Sequence, residues 1–249
     1  MNFLKDIRTA TGFMTRLPVT WPENTGMADL ARAAWSYPFV GAIVGVLTGV
    51  VFWIAMASGL PTMAVIIIAI AFQVLTTGGL HEDGLADVAD GIGGGNTIQQ
   101  KLEIMRDSRI GSYGVLALIL FITLKAALLM APVDISDTVY LWISAMVLSR
   151  AVLPMVMVVF NPARGDGLGA GAGKPTPANA GWALLWGGVL SGFLLPWGLA
   201  ITTIITACLC GFLIAAWAKK QIGGYTGDVL GAVVSMVELT ILFVGAMWV

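Results

Sequence analysis

The chain has little charge for its length. Only 11% of its 249 residues are Asp, Glu, Lys or Arg, whereas a soluble domain carries about 25%. The formal net charge is −1, so the composition offers no basic surface for nucleic acid. These shortages argue against an ordinary soluble domain and against a nucleic-acid-binding protein.

Cysteine and histidine are also scarce. The chain has two cysteines, Cys208 and Cys210, and a helix would turn them to opposite sides, which argues against a disulfide or a metal pair between them. We interpret both as packing residues. The single histidine, His81, lies in the most acidic stretch of the chain.

Apolar runs fill the rest of the sequence. Hydrophobic residues make up 58% of the chain, and several runs reach the ~20 residues that cross a bilayer. We predict an all-α, polytopic membrane helical bundle that forms a single domain over 1–249. It has about seven transmembrane helices, placed at 35–59, 61–77, 111–131, 138–160, on either side of Pro196 within 181–218, and at 229–249. Residues 2–17 are predicted to form an N-terminal helix in the membrane interface.

Positive charge predicts the orientation. With these spans, every basic residue outside the spans falls on one side of the membrane; Lys125 and Arg150 lie within spans. Basic loops face the cytoplasm, so the N-terminus is predicted to be cytoplasmic. In the first span, Gly41, Gly45 and Gly49 recur at every fourth residue, which predicts a face for close helix packing.

The densest cluster of charge is the stretch TGGLHEDGLADVADG at 77–91. If it is helical, Asp83, Asp87 and Asp90 lie at i, i+4 and i+7 and share one face. Clustered carboxylates repel one another unless a cation holds them, and Mg²⁺ prefers such oxygen ligands. We therefore predict a metal site on these three acids, with Glu82 as a weaker candidate ligand because it points away from their face. A solvated acidic helix end is the alternative.

Other polar residues fall on the same predicted side. His81 is either a catalytic base or ligand, or a hydrogen-bonding residue of the turn. We expect Arg109 to act on the transition state, although it could instead form a local ion pair with Asp107. The remaining candidates for substrate binding follow the acidic stretch or lie in two Gly-rich loops: Arg106, Asp107, Arg164, Lys174 and Asp228.

This inventory suits phosphoryl transfer. Carboxylates can hold one or two Mg²⁺ ions that stabilise the attacking and leaving oxygens. Arg and Lys neutralise phosphate oxygens, and Gly-rich loops offer backbone N–H groups to phosphate. The pattern predicts a membrane enzyme that acts on a phosphate diester or a diphosphate, and it names no substrate.

A family resemblance adds the substrate. The motifs GGLHEDGLADVADG, MRDSRIGSYG and GGYTGDVLGA, with the opening FMTRLPV and the run YPFVGAIVG, resemble the cobalamin (vitamin B12) synthase family, the adenosylcobinamide-GDP ribazoletransferases. The resemblance covers nearly the whole chain in order. It implies an Mg²⁺-dependent enzyme of the bacterial inner membrane with its active site facing the cytoplasm, and a homo-oligomer is compatible with it.

The implied reaction joins two substrates. The 3′-hydroxyl of α-ribazole, or of its 5′-phosphate, attacks the phosphorus on the cobinamide side of adenosylcobinamide-GDP. GMP leaves, and adenosylcobalamin or its phosphate forms. The resemblance does not settle which of the two nucleosides is preferred.

Two alternatives remain open. The acid spacing is similar to the DG-x-x-A motif of CDP-alcohol phosphotransferases, although Asp87 stands where that family has Arg. A cation transporter is the second alternative, because Lys125, Arg150 and Glu238 lie inside predicted spans and intramembrane charges are often functional. A buried ion pair that fixes helix packing explains the same three residues.

Overall fold

The computed structural model describes residues 3–132 and 134–248, except for the side chain of Leu168. The parts of the predictions that fall on residues 2, 133 and 249 lie outside it. The described chain is all-helical, as predicted. In chain order the helices are α1 (Phe3–Met14), α2 (Asp29–Ala33), α3 (Tyr37–Met56), α4 (Thr62–Thr77), α5 (Leu80–Gly94), α6 (Ile98–Ile104), α7 (Ser112–Leu129), α8 (Ile135–Ala151), α9 (Leu153–Val159), α10 (Gly167–Gly171), α11 (Pro177–Leu194), α12 (Trp197–Ile222) and α13 (Gly227–Trp248).

Several of these helices are suited to a membrane. Five helical segments of the described chain are long and apolar enough to cross one, and they are Asp29–Met56, Ser112–Leu129, Ile135–Val159, Trp197–Ile222 and Gly227–Trp248. The bent pair α4 and α5 gives a sixth if the two count as one broken span. The predicted span before Pro196 falls on α11, which is not among them. The count of about seven and the cytoplasmic N-terminus remain predictions.

Helix α8 lies at the centre of the bundle. Together with α9 it forms the segment Ile135–Val159, and 83% of the most apolar stretch of this segment is buried. It packs against α3, α11 and α13. The predicted glycine face of α3 makes one of these contacts. A Cβ added at Gly45 would lie 3.0 Å from the Cα of Ile143, while Gly41 and Gly49 lie against Met146 and Val139. The glycines therefore let α3 and α8 approach closely, as small residues do in membranes.

The first helix is anchored by a buried acid. Asp6 is fully buried, accepts a 2.9 Å hydrogen bond from the indole of Trp35 and pairs with Arg32. Ala10 and Met14 of the same helix are also buried. Because a buried charge needs a partner, Asp6 ties α1 to the start of the first span.

A sharp bend separates the second apolar helix from the acidic one. Helix α5 turns by 89° relative to α4. Gly78 and Gly79 form the bend with φ of 68° and 70°, a left-handed conformation that glycine adopts without strain. We therefore treat α4 as the membrane-inserted part of this pair and α5 as a helix that crosses the end of the bundle.

Candidate active site

Helix α5 presents its three aspartates to different surroundings. Asp83 is exposed, Asp87 is intermediate and Asp90 is buried. The helix lies directly on the start of α13, because a Cβ added at Gly84 would come within 2.6 Å of the Asp228 carbonyl oxygen. Glycine at this position allows the two backbones to touch, and the contact brings Asp228 to the acidic face of α5.

The carboxylates of this face interact. Burial, and then the charges of Asp83, Asp228 and Asp90, raise the pKa of Asp87 from its ordinary 3.8 to about 7. Asp228 is held in place by Thr226, whose hydroxyl donates a 3.0 Å hydrogen bond to its carboxylate. The structure thus gathers Asp83, Asp87 and Asp228, which we call the acidic cluster.

Asp90 has a different set of partners from those that the sequence suggested. Its two carboxylate oxygens accept hydrogen bonds from the backbone N–H groups of Gly111, at 2.7 Å, and Gly114, at 2.9 Å. These N–H groups lie at the N-terminal end of α7, where helices leave donors without intrahelical partners. Asp90 therefore caps α7 and fixes it against α5. Its predicted role as a metal ligand remains a prediction.

An open pocket of about 850 Å³ lies beside the acidic cluster. Asp83 and Asp87 form part of its wall, and the basic side chains of Arg16 and Arg106 form another part. Arg16 lies against the bend between α4 and α5, since a Cβ added at Gly78 would meet its side chain. Arg16 was not among the predicted site residues, although it lies in the FMTRLPV run that carries part of the family resemblance.

A second cavity adjoins the first. It holds about 100 Å³ and shares Phe13, Leu80 and Asp83 with the open pocket. Tyr37 and His81 also line it. Asp83 therefore stands where a polar opening meets a small, largely apolar cavity.

Glu82, the neighbour of Asp83 on α5, is buried. It is 7% exposed and lines the open pocket. Its Oε2 atom has no hydrogen-bond partner among the described residues, and burial raises the pKa of its carboxyl above the ordinary value. Helical geometry predicted that Glu82 points away from the face of the three aspartates, yet it lines the same pocket as Asp83 and Asp87. Its predicted role as a weaker metal ligand remains a prediction.

The residues after α6 form exposed ion pairs. Arg109 binds Asp107 through a 2.7 Å contact, and the Arg109 side chain is 86% exposed. This hydrogen bond holds the pKa of Asp107 below its ordinary value. Arg106 reaches Asp166 at 2.7 Å and so joins this segment to the 161–174 loop. Arg106 and Asp107 line the open pocket, whereas Arg109 does not.

The three intramembrane charges meet in the bundle interior. Glu238 accepts a 2.7 Å hydrogen bond from Lys125 and pairs with Arg150. Gln73 bonds both Lys125, at 2.9 Å, and Glu238, at 3.1 Å. Three further contacts complete this buried network. The indole of Trp142 donates to Gln73, and Arg150 donates to the Ser149 hydroxyl. His81 Nδ1 lies 3.4 Å from Arg150. This geometry supports the packing interpretation of these charges and connects His81 to the network.

The acidic cluster suits Mg²⁺ by its chemistry. In the described part of the chain no three His, Cys, Asp or Glu side chains converge into a ready-made metal site. Mg²⁺ commonly takes only one or two carboxylates and completes its shell with water and substrate phosphates. Asp83 and Asp87 supply carboxylate oxygens of this kind in the wall of the open pocket, and Asp228 is close enough to interact with Asp87, so the three fit an ion that arrives with a phosphorylated substrate.

Comparisons with known proteins place this arrangement in a family. The family model described as cobalamin-5-phosphate synthase matches residues 6–246. A protein of Bradyrhizobium diazoefficiens is 42% identical over 98% of this chain and 94% of its own length. Proteins of Mesorhizobium japonicum and Shewanella piezotolerans are 41% and 39% identical, over 98% and 96% of this chain and 94% and 95% of their own lengths. All three are named adenosylcobinamide-GDP ribazoletransferase.

No solved structure gives a significant match. The sequence relatives nevertheless extend over nearly the whole chain, and the motifs of the acidic helix lie at the open pocket. The chain therefore belongs to the cobalamin-5-phosphate synthase family and is a transferase of cobalamin biosynthesis.

Proposed function

We propose that the open pocket joins adenosylcobinamide-GDP to α-ribazole or α-ribazole 5′-phosphate. The observation that carries this proposal is that Asp83 and Asp87 of the acidic cluster line a pocket that Arg16 and Arg106 also line. Carboxylates that repel one another favour a bound cation, and arginines favour phosphate oxygens. The names of the relatives supply the substrate classes.

The reaction replaces a phosphoanhydride with a phosphodiester. The 3′-hydroxyl oxygen of the nucleoside forms a bond to the phosphorus on the cobinamide side, and the anhydride bond to GMP breaks. GMP leaves with the bridging oxygen and its electron pair, and the hydroxyl proton passes to a basic group at the site. The products are GMP and adenosylcobalamin or its 5′-phosphate.

The chain contributes charge and position to this exchange. Asp83, Asp87 and Asp228 would hold Mg²⁺, which when bound offsets the negative charge of the diphosphate. Arg16 and Arg106 are placed to contact the phosphates or the departing GMP, where fixed donors favour the transition state. Asp90 positions the aspartates indirectly, because it fixes α5 against the start of α7.

We further propose that this site faces the cytoplasm from the bacterial inner membrane. The support is the predicted distribution of basic residues. A cysteine placed at Gly171, in a variant that lacks Cys208 and Cys210, should be protected from an impermeant thiol reagent added to intact cells. A cysteine at Leu60, in the turn between α3 and α4, should react, and the reverse pattern would overturn the orientation.

Reconstituted protein tests the reaction itself. Liposomes that contain the purified protein, with Mg²⁺, adenosylcobinamide-GDP and α-ribazole 5′-phosphate, should release GMP and form a corrinoid product in equal amounts. Omitting the nucleoside should abolish the corrinoid product, and chelating the metal should stop both. Absence of product with either nucleoside, in protein shown to be folded, would refute the proposed function.

A further inference from the structure

The cavity of about 100 Å³ beside Asp83 has an imidazole in a mostly apolar wall. Helices α1, α5 and α9 supply much of that wall through the side chains of Phe13, Leu80, Leu153 and Met157. His81 is one of the few polar residues among them. We call this space the apolar cavity, and the question is what its imidazole can bind.

Two contacts fix His81 in this wall. Its backbone carbonyl accepts a 3.2 Å hydrogen bond from the Ser235 hydroxyl, and its Nδ1 atom lies 3.4 Å from Nη2 of Arg150. A guanidinium only donates hydrogen bonds, so Nδ1 accepts here and the ring hydrogen lies on Nε2. Arg150 is itself held by Glu238 and Ser149. The buried network therefore determines which tautomer His81 adopts.

The Nε2–H group of His81 is left for a ligand. Nε2 makes no hydrogen bond within the described residues, yet it is not one of their fully buried atoms without a partner. It therefore keeps accessible surface, and the apolar cavity is the space that His81 lines. In this tautomer Nε2 offers a donor and no lone pair. The geometry thus favours His81 as a hydrogen-bond donor over the catalytic base that the sequence left open.

The size and polarity of the apolar cavity favour a flat, weakly polar group. A closed apolar cavity of about 150 Å³ holds a benzene ring, and this smaller one continues into the open pocket past Phe13 and Leu80. It admits the edge of an aromatic base and excludes a corrin ring. The Tyr37 hydroxyl already donates to the Leu30 carbonyl at 3.2 Å, so the imidazole is the donor that remains for a ring nitrogen.

The position of the cavity suits the nucleoside substrate. Asp83 and Asp228 of the acidic cluster also line it, so a base bound there leaves its ribose beside the carboxylates. In phosphoryl transfer the attacking and leaving oxygens are roughly in line through the phosphorus, and the two substrates therefore enter from different sides. The open pocket, with Arg16 and Arg106 in its wall, suits the diphosphate substrate.

We infer that the apolar cavity binds the aromatic base of the nucleoside and that His81 Nε2–H donates a hydrogen bond to the ring nitrogen of that base. This inference rests on the proposed function and adds a specificity-determining residue to it. The benzimidazole of α-ribazole has one acceptor nitrogen and no ring N–H, which matches a single donor in an apolar wall. Guanine also carries N–H donors, and the carboxylates that could accept from them here belong to the acidic cluster.

Two nucleosides that differ at one ring atom test this hydrogen bond. In the indole analogue of α-ribazole 5′-phosphate, a C–H group replaces the acceptor nitrogen. We expect the wild-type kcat/KM to be about tenfold lower for the indole nucleoside, because the buried imidazole donor then has no partner. GMP release from liposomes measures both nucleosides at saturating adenosylcobinamide-GDP.

Three variants assign the preference to His81. His81→Phe keeps a flat ring without the donor, and its two kcat/KM values should differ by about twofold at most. His81→Gln carries an amide N–H near the position of Nε2 and should retain part of the preference. Ser149→Ala is the matched control, because it removes a hydrogen bond to Arg150 in the same network and Ser149 lines neither the apolar cavity nor the open pocket. It should keep the tenfold preference.

Each other outcome overturns the inference in a recognisable way. Equal kcat/KM values for the two nucleosides in the wild-type protein would refute it, whether or not His81→Phe folds. An undiminished preference in folded His81→Phe would assign the ring nitrogen to another donor, and a preference lost equally in Ser149→Ala would make His81 a part of the network alone. A raised KM for adenosylcobinamide-GDP in His81→Phe, with the nucleoside ratio unchanged, would assign the cavity to the diphosphate substrate. Failure of the proposed function is different, because neither nucleoside would then support GMP release.

Discussion

The acidic cluster and the buried network of Lys125, Arg150 and Glu238 differ in how their charged side chains are paired. In the network, Glu238 pairs with Lys125 and Arg150, and Gln73 bonds to two of the three. In the acidic cluster, carboxylates lie beside carboxylates, and their repulsion helps raise the pKa of Asp87. Removal of one partner from the network would leave a buried charge without compensation, which is strongly destabilising. The carboxylates of the cluster have fewer such partners, as a site for a cation would require.

This contrast predicts different effects of substitution in the two regions. The charged side chains of the network are paired in the bundle interior, whereas Asp83 and Asp87 of the cluster line the open pocket. Each substitution changes one of the two regions, and both the free energy of unfolding and the turnover are measured. A network variant that loses only turnover, or a cluster variant that loses only stability, would contradict the role given to that region.

Removal of Glu238 should give the largest effect. Glu238→Ala leaves Lys125 and Arg150 buried without their counter-charge, and breaking a buried pair in this way destabilises a protein by about 3–5 kcal/mol. Denaturant unfolding in detergent micelles measures the change, and Glu103→Ala on the surface of α6 serves as the control. A loss below about 1 kcal/mol would show that the network does not support the fold.

Asp83→Asn should instead remove activity. The variant loses a carboxylate from the wall of the open pocket, and we expect GMP release to fall by about a hundredfold or more while the free energy of unfolding stays close to that of the wild type. The exposed Asp137 lies outside the site, so Asp137→Asn is the matched control. A tenfold or smaller loss of turnover would show that Asp83 does not take part in the reaction.

Asp90 tests whether one aspartate of the face belongs to the fold. Asp90→Ala removes both acceptors from the start of α7, and we expect a loss of about 2 kcal/mol in the free energy of unfolding. The Mg²⁺ concentration that gives half-maximal GMP release should stay the same in the protein that remains folded, whereas Asp83→Asn should raise it. A comparable increase in Asp90→Ala would restore the metal role that the sequence predicted for this residue.

Arg109 should give the smallest effect. Its side chain is largely exposed and pairs with Asp107, and exposed ion pairs contribute little. Arg109→Lys should therefore change turnover by no more than about twofold, whereas Arg16→Lys, which alters the pocket wall, should lower it more. Single-turnover GMP release measures both variants. A loss of turnover of more than about tenfold in Arg109→Lys, at unchanged substrate affinity, would show that Arg109 stabilises the transition state.

Much of the fold was predictable because membrane helices leave strong local signals. Apolar runs predicted the bundle, and the glycine repeat of α3 correctly indicated its close contact with α8. Thr97 precedes α6 and accepts a 3.2 Å hydrogen bond from Gln100 N–H, as Thr commonly does at the start of a helix. Such features depend on neighbours in the sequence, so the pattern of residues is sufficient to find them.

The site was less predictable because it depends on contacts between distant segments. The 3.6-residue period placed Asp83, Asp87 and Asp90 on one face, but the same period could not show that Asp90 would meet the N–H groups of α7. It also gave no sign that Arg16 would line the pocket. Two glycines at the bend of α4 and α5 were visible in the sequence, yet only the structure shows the 89° turn they permit.

Asp87 tests the central claim most directly, because its charge should serve chemistry and oppose folding. Its folded-state pKa of about 7 lies above the ordinary 3.8, so its contribution to stability is present at low pH and is lost as the pH rises through about 7. Asp87→Asn cannot ionise. The measurement is thermal unfolding at pH 8 without Mg²⁺, combined with GMP release when Mg²⁺ is restored.

We predict that Asp87→Asn unfolds at the same or a higher temperature than the wild-type protein. Its GMP release with Mg²⁺ should fall by about a hundredfold or more. A variant that unfolds at a lower temperature and still releases GMP at the wild-type rate would contradict the account, because Asp87 would then be a structural charge like those of the buried network.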